Sequence, residues 1–156
     1  MLLDFKFTGG VEVSHISLRK PNKDEPDYLC VDIKLKGQAE GIVLTKLLGC
    51  STTEINNLWL HDDDQSPRFA NVSKTDLTNV YREHYLVLGD HRYESVEFKK
   101  FSYCIKEHKR IKIIVSATIA GVSDVDLTLL TEHLKGTCNC GIECDPAPED
   151  EGGTEE

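Results

Sequence analysis

Three groups of residues combine side-chain types and spacings that could do chemistry. Cys138, Cys140 and Cys144 offer thiolates, which are good zinc ligands, with His133 or a distant cysteine available as a fourth. Paired Cys-x-x-Cys units reach one ion from a tight turn. Cys138-x-Cys140-x-Ile142-x-Cys144 instead places all four side chains on one face of a strand. Free cysteine packs as a small hydrophobe, so these three are assigned to the core, with zinc as the weaker alternative. His61-Asp62-Asp63-Asp64 has the composition of a hard-cation or two-metal site. Consecutive residues seldom converge, however, and the segment lacks the alternating ligands, glycine and distal glutamate of a calcium loop. It is read as a solvated loop with no catalytic role.

The third group is basic. Lys99, Lys100, Lys106, Lys109, Arg110 and Lys112, with His108, would lie along one hairpin, where Tyr93, Phe101 and Tyr103 could stack on unpaired bases. Phe101, Tyr103 and Ile105 share parity, which points them at a core, and Glu94, Glu97 and Glu107 dilute the charge. The preferred reading of this hairpin is a solvated edge, and single-strand binding is the alternative. The remaining histidines are scattered, and neither a phosphate-binding glycine loop nor a nucleophile elbow is present. No catalytic residue, cofactor or metal is assigned.

Charge divides the chain unevenly. The net charge is −9, and residues 145–156 (DPAPEDEGGTEE) carry six acids and no base, which leaves −3 on residues 1–144. The tail has no apolar residues to offset the entropy of ordering, so it is expected to be disordered and to aid solubility or recruit a partner. A near-neutral body argues against a surface built throughout for phosphate backbones. No window approaches the roughly 18 apolar residues of a membrane span, and no secretory signal opens the chain, so a cytoplasmic protein with reduced cysteines is expected.

The elements that would hold these groups follow from periodicity. Leu3, Phe5 and Phe7 alternate with polar residues, and Gly9-Gly10 then reads as a hairpin turn into a second strand, bulged near Ser14-His15. Residues 21–27 form a polar loop. Leu29, Val31, Ile33 and Leu35 make a half-buried strand with Asp32, Lys34 and Lys36 on its polar side. Spacing turns helical from Ile42 to Leu60, giving two short helices, the second opened by a Ser51/Glu54 capping box. A polar crossing covers 61–78, followed by strands at 80–88, 93–98, 101–105 and 111–119, the last two joined by a turn at 107–110. Ser123 and Asp126 open a third helix that Gly136 would cap, and 138–144 forms a final strand. The expected fold is α+β: mainly antiparallel sheet or sandwich with two to three short helices, one domain over 1–144 and a disordered acidic tail over 145–156.

Val31-Asp32-Ile33-Lys34-Leu35, Leu58-Trp59, Arg68-Phe69-Ala70-Asn71 and Val96-Glu97-Phe98-Lys99-Lys100-Phe101, with the closing strand-helix-strand from Ile111 to Glu143, resemble a group of small uncharacterised proteins of tailed bacteriophages and prophages. The resemblance spans about residues 29–143. It implies a phage-encoded protein working in the host cytoplasm and carries no activity with it. The expectation is therefore a non-enzymatic accessory protein acting by protein–protein contact, against a host factor. The alternative is a single-strand-binding or recombination accessory protein using the Lys99–Lys112 hairpin. A metal-dependent enzyme built on 61–64 is the distant third. A homodimer through exposed strand edges is compatible with each.

Overall fold

Alternating apolar and polar residues turn into strands over most of the chain. The structure, a computed structural model, describes residues 3–19, 29–69, 75–134 and 136–144. In chain order its elements are β1 (Phe5–Lys6), β2 (Thr8–Arg19), β3 (Cys30–Glu40), a 3-10 turn (Gly41–Val43), α1 (Leu44–Leu48), α2 (Thr52–Asn56), β4 (Thr75–Leu88), β5 (His91–Lys106), β6 (Arg110–Ala120), α3 (Asp124–His133), β7 (Thr137–Cys138) and β8 (Cys140–Glu143). All strands join one antiparallel sheet in the order β1-β8-β4-β5-β6-β3-β2-β7.

The two ends of that order are made by the same two stretches of chain. β1 leads into β2, and β7 leads into β8. Phe5 pairs with Ile142 and Val11 with Cys138, while β8 also pairs with the end of β4 from Tyr85 to Leu88. The sheet is thus curled into a half-barrel, drawn together at this short seam. Inside it lies one apolar core: Val31, Ile33 and Leu35 from β3, Phe98 and Phe101 from β5, and the odd-numbered residues Ile111 to Ile119 of β6. Fully burying each such side chain contributes on the order of 1.5–3 kcal/mol, which is why the register cannot slip by one residue without exposing the whole set.

Several expectations are corrected by this topology. Gly9-Gly10 is not a hairpin turn, and β1 does not pair with β2. Gly9 (φ 74°) and Gly10 form a bulge inside β2, where the pairing with β3 jumps between Thr8 and Glu12. A Cβ on Gly10 would lie 2.6 Å from the Thr137 side chain, so glycine lets the seam close. The second bulge does fall at Val13–His15, as the switch in parity indicates. The runs 93–98 and 101–105 are one strand: Lys100 (φ 55°) sits in a bulge that shifts the inward face from Phe98 to Phe101 without ending the pairing with β6.

β4 begins at Thr75, five residues before Val80, because it keeps pairing with Tyr103 at the far end of β5. The final strand breaks at Asn139 into two pieces with different neighbours. Both capping boxes form, at Ser51/Glu54 and Ser123/Asp126, but α3 closes on Leu134 in a right-handed conformation, and Gly136 is not a left-handed cap. The loop expected at 21–27 and the tail at 145–156 lie outside the described residues, as do Ala70 and Asn71.

The helical segment is tied to the β5–β6 turn. The indole N–H of the fully buried Trp59 donates to the Lys106 carbonyl at 2.6 Å, and the Gly41 amide to the Lys109 carbonyl at 2.7 Å. At another part of the half-barrel, α3 packs against β2 and joins the start of β5 through Asp126 and His91, 3.0 Å apart. Among the described residues, no helix is long and apolar enough to cross a membrane.

Candidate binding face on the outer surface of the sheet

With the odd residues of β3 and β6 committed to the core, their even residues must face outward. Antiparallel register then sets these residues side by side across three strands. Glu40, Arg110 and Lys106 form one row; Gln38, Lys112 and Cys104 the next; then Lys36, Ile114 and Ser102; then Lys34, Ser116 and Lys99. Lysines from three strands therefore share one surface. Lys34, Lys36, Lys106 and Lys112 are exposed, and among the described residues no ion pair engages them or Lys99.

Of the acids near this face, Asp32, Glu97 and Glu40 are engaged, whereas Glu12, opposite Lys36 on β2, is exposed and makes no ion pair among the described residues. Asp32 accepts from Thr118 Oγ1 at 2.6 Å and from Arg19 Nε at 2.8 Å. Partial burial works against its charge, but these two hydrogen bonds and the guanidinium outweigh that and hold its carboxyl below the usual carboxylate range. Glu97 pairs with Arg82 at 2.9 Å. Glu40 lies 3.7 Å from Arg110, an exposed pair that leaves most of the guanidinium's donors free. A shallow depression of about 720 Å³ is rimmed by Lys36, Lys106, Arg110 and Lys112, with Gly9 and Gly10 at its far side and Glu12 as its one acid.

Of the basic residues singled out in the sequence, the structure brings together Lys106, Arg110 and Lys112. Lys99 lies two rows beyond Lys112, while Lys100 occupies the β5 bulge and Lys109 the turn (φ 55°), out of register with the others. Sequence reasoning missed Lys34 and Lys36. They were visible as the polar side of an amphipathic strand, but no local signal shows that β3 lies beside β6. The stacking platform does not form, because Phe101, Tyr103 and Tyr93 are all buried.

The other candidates do not assemble. Cys140 and Ile142 are buried, Cys138 packs against the core with its thiol 3.9 Å from the Val11 carbonyl, and Cys144 is half-buried just past β8. Burial pushes the Cys138 and Cys140 thiols up, which favours the neutral form over the thiolate that a metal would need. All six cysteines are free thiols. In the exposed 61–64 segment the Asp62 carboxylate accepts from the Ser66 amide at 2.9 Å, and the Asp64 carbonyl from the His108 amide at 2.8 Å, so these residues shape a turn. Among the described residues, no three or more His, Cys, Asp or Glu side chains converge as a metal site.

Comparison of the chain with protein-family models finds no match, and neither comparison with curated proteins nor comparison with solved structures finds one.

Proposed function

We propose that this protein is a non-enzymatic binding module that works by protein–protein contact, with the lysine face of β3, β6 and β5 docking an acidic segment of its partner. One observation carries the reading: cross-strand register gathers Lys34, Lys36, Lys106 and Lys112 on one exposed surface where, among the described residues, no ion pair engages them. Such a patch raises the association rate with anionic partners and disfavours cationic ones. A phage accessory role in the host cytoplasm, against a host factor, belongs to the same proposal and rests on the resemblance alone.

The test is capture from host lysate with the full chain and with Lys34→Glu/Lys36→Glu/Lys112→Glu side by side, using Lys6→Glu as a control on β1. A partner held by wild type and by the control, released by salt and lost with the triple variant, supports the reading. Equal capture by all three chains would sink it.

A second reading, single-stranded nucleic acid, is favoured by the spacing of these lysines, about 4.8 Å across strands and roughly 6.7 Å along them, which suits successive phosphates. Against it stands the burial of Tyr93, Phe101 and Tyr103, the aromatic residues of β5 expected to stack on bases. An oligothymidine titration decides: binding that falls steeply with salt and is abolished by Lys109→Glu/Arg110→Glu would favour nucleic acid over protein.

A further inference from the structure

We infer that the acidic segment 145–156 of this chain docks on its own lysine face, so that an external partner must displace it. The inference rests on the same face as the reading above but not on the partner's identity. Charge complementarity is the first observation. Six carboxylates follow Cys144 within twelve residues, and the five lysines that no ion pair engages among the described residues lie with Arg110 on one side of the sheet. No other described surface gathers unpaired cations from three strands.

Position is the second observation. The chain leaves the fold at the end of β8, where Glu143 pairs with Tyr85 of β4. His84, the next residue along β4, pairs with Val96 of β5, and Val96 with Ile119 of β6, so the basic face begins three rows further on, at Lys99, Ser116 and Lys34, beyond the row of Glu97, Thr118 and Asp32 whose two acids are paired with Arg82 and Arg19. From Cys144 to Lys112, beside Cys104, is roughly 25 Å along the strands and about 15 Å across them, or roughly 30 Å over the sheet. Twelve extended residues span at most about 40 Å. Asp145 would stay near the seam, Glu149 to Glu151 would come within reach of Lys99 and Lys34, and Glu155 and Glu156 would come within reach of Lys112 and Arg110.

Tethering sets the consequence. A segment held this close presents carboxylates at an effective concentration in the millimolar range, enough for weak, salt-screened contacts to compete with an external ligand. The attached tail would then act as a threshold that admits only partners with a denser or better-shaped array of negative charge.

The test uses the full chain, labelled for amide NMR, as wild type and as Asp145→Asn/Glu149→Gln/Asp150→Asn/Glu151→Gln/Glu155→Gln/Glu156→Gln. Neutralising the tail is expected to move the amides of Lys34, Lys36 and Lys112, and about 0.5 M salt should move them the same way in wild type. Amides that coincide in the two chains would overturn the inference, as would wild-type shifts that grow with protein concentration, which assign the tail to a second copy. A hexaglutamate peptide, used as the probe, should bind the neutralised chain about threefold to tenfold more tightly than wild type. Equal binding to both chains overturns tail docking while leaving the acidic-partner reading intact. Tail-dependent amide shifts with no peptide binding to either chain support tail docking and count against that reading.

Discussion

The backbone amide of Leu3 donates a hydrogen bond to Nε2 of His84 at 3.0 Å, joining the chain just before β1 to β4 at the point where β8 stops pairing. His84 Nδ1 lies 2.7 Å from the Arg82 carbonyl, which can only accept, so the proton is on Nδ1 and the Nε2 lone pair is free for Leu3. The imidazole is buried and meets Tyr81 and Phe98 edge-on. It therefore supplies, from a side chain, a hydrogen bond that ties the start of the described chain to β4.

His84→Phe keeps an aromatic ring, somewhat larger than the imidazole, but leaves both backbone groups without their partner, one of them the amide of a fully buried residue. A loss of about 1–3 kcal/mol is expected in urea unfolding. His84→Gln, which can accept and donate, should lose less. Equal losses for the two variants would mean that ring packing, not the hydrogen bond, matters.

Tyr93 carries the opposite kind of imbalance. Its side chain is 2% exposed and its hydroxyl has no hydrogen-bond partner among the described residues. Burial, with the nearby Asp126 charge, pushes the phenol up and keeps it neutral. Tyr93→Phe removes an unsatisfied group without changing shape, so stability should hold or rise by about 1 kcal/mol, read from the urea midpoint. A clear destabilisation would show that the hydroxyl has a partner.

Gly41 is where the helical segment meets the β5–β6 turn. A Cβ there would sit 2.3 Å from the Trp59 ring and 2.9 Å from the Lys109 carbonyl oxygen. Gly41→Ala must displace a fully buried indole and should cost about 1–3 kcal/mol. Gly49→Ala is the comparison, because its Cβ meets nothing and only its left-handed φ of 69° opposes alanine. Thermal unfolding should place Gly41→Ala well below Gly49→Ala.

Acid should loosen α3. Partial burial works against charge on Asp126, but the Ser123 amide and the His91 ring outweigh that and hold its carboxyl below the usual range. A carboxyl that is more acidic in the folded chain stabilises it fully above its unfolded value, about 3.9, and that contribution is lost as pH falls through the lower folded value. Asp32 shifts the same way. Unfolding monitored from about pH 5 to pH 2 should show falling stability, and Asp126→Asn should flatten the slope. An unchanged slope would exclude Asp126 as a contributor.

Local patterns in the chain determined a good deal. Alternation in β3 and β6, the two capping boxes and the Val13–His15 bulge are all set by neighbours a few residues apart, and the structure has them where the sequence places them. Tertiary pairing decided the rest. The single long β5, the early start of β4, the divided last strand and the bulge at Gly9-Gly10 each depend on a partner strand distant in sequence, and periodicity within a segment does not encode that partner. The basic residues show the same division. Lys106, Arg110 and Lys112 were legible because one hairpin holds them, whereas Lys34 and Lys36 join them only because β3, which ends at Glu40, hydrogen-bonds with β6, which begins at Arg110. Side-chain direction is a period-two property of each strand; which strand lies alongside is decided by closing the sheet around a shared core.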